Sequence, residues 1–161
     1  MKIERKCWVY VGVVIIILGS IGIYLNQYST SEKRQQFAEI TFKTLAEGVS
    51  SSHTTFDALV VQNGNEFESL WKGMYSGFRP PPDMPIVDFS NKTVIAVFFG
   101  EKPSTGYSIT IDNIIRINQS INVQYKTSRP GSGTVGLLVT RPYHIVELDK
   151  ITEEVKFEEM R

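Results

Sequence analysis

Residues 8–25 read WVYVGVVIIILGSIGIYL, and no charged side chain interrupts them. A run of this length is about what a helix needs to cross ~30 Å of hydrocarbon. A helix also satisfies its backbone donors internally, as a lipid environment demands. Lys2, Arg5 and Lys6 precede the run. Positive charge is retained on the cytoplasmic side, so residues 1–7 are expected in the cytoplasm and the rest of the chain outside. Trp8, Tyr10 and Tyr24 lie near the two ends, where aromatic rings favour the headgroup region. A cleavable signal peptide needs a shorter apolar core and small residues just beyond it. Here Asn26-Gln27-Tyr28-Ser29-Thr30 comes next, and Cys7 lies before the run, where it cannot serve as a lipoprotein cysteine. The expectation is a single-pass, uncleaved signal anchor at 8–25 in the cell membrane, then a polar stalk over 26–36.

Residues 37–161 carry no low-complexity linker and no internal repeat, which predicts one extracytoplasmic domain. Lys+Arg and Asp+Glu balance at 17 each. No basic stripe is present to displace counterions from phosphates, so nucleic acid is not an expected partner. One cysteine excludes a disulfide within the chain and a zinc site of several cysteines. The fold must therefore rest on its apolar core.

Hydrophobic periodicity gives the elements. Residues 39–46 and 55–62 read as strands, and Asn63-Gly64 stops the second. Phe67, Leu70, Trp71 and Met74 fall at i, i+3, i+4 and i+7, so residues 65–75 predict a helix, with Asn65 as its cap. Residues 78–85 contain four prolines and predict an extended connection, a stiff cover over the core in preference to a polyproline ligand for a partner. Residues 93–99, TVIAVFF, are apolar on both faces, the mark of a central covered strand. Residues 107–111 and 121–126 alternate apolar with polar and predict half-buried antiparallel strands. Residues 134–140 and 143–148 predict two more, or one strand bent at Pro142, and Val155 with Phe157 a short last one. The fold class expected is mostly β (α+β): an antiparallel, β-sandwich-like domain with one helix, preceded by the transmembrane helix.

No reaction motif accompanies these elements. The spacings of a zinc-protease helix, a nucleophile elbow, a phosphate-binding loop and a dinucleotide fingerprint are absent. His144 shares a strand face with Val146 and Leu148 and reads as a core or boundary residue; His53 sits in a serine-rich turn. The chain is expected not to be an enzyme, with no catalytic residues, no cofactor and no metal. Asn91-Lys92-Thr93 and Asn118-Gln119-Ser120 have the form of glycosylation acceptors.

Three loops remain: Lys102-Pro103-Ser104-Thr105-Gly106-Tyr107, Arg129-Pro130-Gly131-Ser132-Gly133 and Thr140-Arg141-Pro142-Tyr143. Each couples proline with glycine, small polar residues or an aromatic, which is turn chemistry. A glycine next to an aromatic at the foot of a strand is more than a turn needs.

The order DFSNKTVIAVFFG (88–100), GEKPSTGYSI (100–109), RPGSG (129–133) and RPYHIV (141–146) resembles the C-terminal domain of the protease complex subunit PrcB family. The resemblance extends over most of residues 55–150. Ser104-Thr105-Gly106 stands where the family pattern tends to have threonine and two glycines. The family often reaches the membrane through a lipid on cysteine, a role the 8–25 anchor would take here. What the resemblance implies is a protein-binding domain that accompanies or stabilises an exported, subtilisin-like protease, with the three loops as candidate partner-binding segments. The same loops are similar to those of chagasin-type cysteine protease inhibitors, with Tyr143 in place of a tryptophan. That likeness implies an alternative role as an inhibitor using loops 102–107, 130–136 and 141–143.

Overall fold

The computed structural model describes Ser20 and residues 37–133 and 136–160. The chain divides into two units, Met1–Gln35 and Gln36–Arg161. The anchor expected at 8–25 and the stalk at 26–36 lie outside the described residues, apart from Ser20. Among the described residues no helix is long and apolar enough to cross a membrane.

Among the described residues the second unit has eight strands and one helix: β1 Phe37–Glu39, β2 Phe42–Gly48, β3 Phe56–Val61, α1 Gly64–Met74, β4 Lys92–Phe99, β5 Ser108–Ile117, β6 Ser120–Ser128, β7 Tyr143–Asp149 and β8 Glu154–Met160. They form two four-stranded sheets, ordered β1-β5-β6-β8 and β2-β7-β4-β3. The expected mostly-β, sandwich-like arrangement with one helix is what the described residues adopt.

β4 explains the architecture. It lies between β3 and β7, and both of its faces are covered. Val94, Ala96 and Phe98 pack with Phe67, Trp71 and Met74 of α1. Ile95 and Val97 point the other way, into Ile109, Ile111, Ile114, Ile121 and Val123 of the first sheet. Each buried Val, Ile, Phe or Met side chain among them contributes about 1.5–3 kcal/mol by leaving water. The 3.6-residue stripe of α1 and the period-2 alternation of β5 and β6 are thus two coats on one strand.

The details depart from the sequence expectations in five places. The first strand is two strands, because the chain passes from one sheet to the other between Glu39 and Phe42. The helix is capped by Asn63 and not by Asn65: Asn63 is extended, and its Oδ1 accepts the Glu66 amide at 2.9 Å. β5 and β6 are longer than 107–111 and 121–126 and close into a hairpin whose turn places Asn118 at φ 55, a conformation asparagine tolerates. The alternation is hidden after Ile111 because the register slips between Ile111 and Asn113, so the next inward side chain is Ile114. Residues 136–139 are not strand, and Thr140 makes only an isolated bridge to Lys102. Finally, β8 runs parallel to β6. A parallel pair needs a crossover, and here β7, in the opposite sheet, supplies it.

The proline-rich segment lies over α1. The Trp71 indole N–H donates to the Pro82 carbonyl at 3.0 Å, and Phe78, Val87 and Phe89 pack against the helix-side core.

Candidate functional site

The three loops meet at one end of the domain, beyond Ser108 of β5, Ser128 of β6 and Tyr143 of β7. Ser108 and Ser128 close that end of the hairpin with a 2.8 Å hydroxyl pair.

Loop one begins at Gly100, whose φ is 73. A Cβ there would sit 2.8 Å from the Thr55 carbonyl carbon and 2.9 Å from the Phe56 nitrogen. Only glycine allows that backbone-to-backbone approach. Lys102 then exchanges two backbone hydrogen bonds with Thr140, at 2.8 and 2.9 Å. Its ammonium stands 3.8 Å above the centre of the Phe99 ring, a cation–π contact that holds the stem down. Tyr107 meets the same Phe99 ring edge-on at 6.2 Å.

Ser104, Thr105 and Gly106 grip the neighbouring segments. The Ser104 carbonyl accepts the Thr140 hydroxyl at 2.9 Å. Thr105 bonds Gly136 twice: its amide donates to the Gly136 carbonyl at 3.0 Å, and its Oγ1 accepts the Gly136 amide at 2.9 Å. Gly106, at φ 89, presses on loop two, where an added Cβ would lie 2.8 Å from Pro130 Cβ. Pro130 is half-buried by this contact, whereas Arg129, Gly131, Ser132 and Gly133 are exposed. Pro103 at the tip of loop one is exposed too, and Ser104 is buried.

Loop three is largely internal. The Arg141 guanidinium forms an ion pair with Glu101 at 2.6 Å, and its amide donates to the Val49 carbonyl at 2.8 Å. Pro142 is buried, and its carbonyl accepts the Phe99 amide at 2.8 Å. The Tyr143 ring is buried beside Phe98, and its hydroxyl pairs with that of Tyr75 at 2.6 Å. Burial and, after it, this hydrogen bond push the Tyr75 phenol above its ordinary range.

Between Gly136 and Thr140, both tied to loop one, the chain arches outward. Leu137, Leu138 and Val139 are 96%, 62% and 50% exposed. Sequence reasoning places these residues in a strand, because alternation does not report whether a second layer is present. It places Thr140 in loop three but does not foresee its bonds to Lys102 and Ser104, and it misses Glu101 as the partner of Arg141. The three loops it singles out are brought together, but with divided roles. Ser104, Pro142 and Tyr143 are interior, while Pro103, Arg129, Gly131 and Gly133 stand at the surface around the apolar arch.

Residues 93–149 match the family model described as PrcB C-terminal. The resemblance read from the loops is borne out over that stretch, which is narrower than the 55–150 span expected from the sequence. The matched stretch runs from β4 through β7 and includes all three loops and the arch. No curated protein and no solved structure matches the chain.

His53 stacks on Phe98 at 4.2 Å and approaches Asp57 at 3.4 Å. Among the described residues no group of three or more His, Cys, Asp or Glu side chains is placed to hold a metal ion.

Proposed function

We propose that residues 37–161 form a non-catalytic protein-docking domain, carried outside the cell membrane by the 8–25 segment as a single-pass anchor. Its partner is an exported, subtilisin-like protease or another envelope protein, which it accompanies or stabilises. The observation that carries this reading is the match of residues 93–149 to the PrcB C-terminal family model, on a segment whose loops converge at one end.

The loop end combines exposed Leu137, Leu138 and Val139 with Lys102 and Arg129. An exposed apolar patch rimmed by polar groups is a feature of protein interaction sites.

The alternative role, a chagasin-like cysteine protease inhibitor, draws on the same convergence. It has less support, because the aromatic of loop three is turned inward: Tyr143 is buried against Tyr75 and Phe98.

The test is affinity capture of the tagged full-length chain from its own membranes, with mass spectrometry of the co-purified proteins. The expected result is enrichment of an exported protease or envelope protein. Recovery of neither, under conditions that retain weak complexes, would overturn the proposal. Inhibition of a papain-like enzyme by the full chain at micromolar concentration would turn the reading toward the inhibitor.

A further inference from the structure

His144 lies near the start of β7, just below loop three, and is 2% exposed. Both ring nitrogens are bonded, and to different sheets. The Ile111 backbone amide of β5 donates to Nδ1 at 2.9 Å, while Nε2 lies 2.9 Å from the Thr44 hydroxyl of β2. An amide N–H can only donate, so Nδ1 is the bare nitrogen and Nε2 carries the hydrogen given to Thr44. Ile111 is also where β5 slips its register on β6. A bulge disrupts the ladder locally, and His144 supplies an acceptor from the opposite sheet.

The strands joined by this ring carry the loops: loop one leads into β5 and loop three into β7. The geometry points to His144 as an acid-sensitive latch between the two sheets, whose protonation at Nδ1 sets two N–H groups face to face and loosens the loop end. This inference rests on the fold and not on the identity of any partner.

The groups around the ring set the sign. Burial holds the imidazole below its usual range, and Glu47 of β2, with Oε2 3.9 Å from Nε2, opposes that shift. β4 places Val97 opposite, without charge. On β5, Asp112 is paired with Lys126, and on β7, Glu147 is paired with Lys43. The folded ring therefore takes a proton less readily than a released one, whose pKa is about 6.5. The latch is fully engaged above that pH. Below it the opened form binds more protons, so opening grows by up to about tenfold per pH unit until the folded ring itself titrates.

Hydrogen exchange of the full-length chain in detergent micelles tests this, from about pH 7.5 to about 5, with rates corrected for the intrinsic pH dependence of exchange. Protection of the Ile111 amide is expected to fall below about pH 6.5, while Val97 and Ile145 in the second sheet hold theirs. H144Q, which can donate and accept but cannot titrate, is expected to flatten the Ile111 profile. T44V keeps the titrating ring and is expected to keep the fall. A flat wild-type profile overturns the inference. A fall shared equally by Val97 and Ile145 also overturns it, since that is global unfolding, and so does a fall that persists in H144Q. The wild-type series decides the matter by itself should H144Q fail to fold.

Discussion

In β4, residues 93–98 are wholly buried, whereas Leu137, Leu138 and Val139, no less apolar, stand at the surface. Both stretches lie within residues 93–149, which match the PrcB C-terminal family model. The difference lies in what surrounds them. β4 has α1 on one face and the first sheet on the other. The arch has its ends fastened by Thr105 and Lys102 and lifts clear between those points. Apolar composition alone therefore does not decide burial; the available layers do. Two stretches alike in hydropathy then carry different tasks, one holding the domain together and the other forming the contact surface we propose.

Substitutions can break this contrast, in decreasing order of effect on stability. Ile95→Ala opens a cavity between the sheets and is expected to cost about 2–5 kcal/mol in denaturant unfolding. A loss below about 1 kcal/mol would mean that β4 is not the centre of the fold. Gly106→Ala places a methyl against Pro130 at positive φ and is expected to cost about 1–3 kcal/mol. The damage should appear first as faster exchange or proteolysis in loops one and two. Thr105→Val removes the acceptor for the Gly136 amide. It is expected to cost about 0.5–1.5 kcal/mol and to free the arch, read as increased proteolysis at 136–139. Leu138→Ser is expected to change stability by less than about 0.5 kcal/mol yet to weaken partner capture. A large loss of stability from Leu138→Ser would show that the arch is structural and would erase the contrast.

The parts legible in the sequence are those governed by one neighbour. TVIAVFF announces a strand covered on both faces, because it offers no polar side to water. The spacing of Phe67, Leu70, Trp71 and Met74 announces a helix with one apolar stripe. The bulge at Ile111 is not legible, because a parity change in alternation looks like the end of a strand. The cap lies at Asn63 and not Asn65 because a cap is set by backbone conformation, two residues earlier than the stripe alone indicates. The site is half legible. Proline and glycine mark the loops, but the links between Thr105 and Gly136, Arg141 and Glu101, and Tyr143 and Tyr75 join residues far apart in the chain. Those links decide which loop residues face inward, and no local pattern encodes them.

The most direct test of the docking surface compares the two ends of the domain. A photo-crosslinking amino acid is placed at Leu138 in the arch or at Gln119 in the β5–β6 turn, in the full-length chain in living cells, and adducts are identified by mass spectrometry. The account predicts that position 138 traps an exported protease or envelope protein and that position 119 does not. Equal trapping at both ends, or trapping at 119 alone, would contradict it.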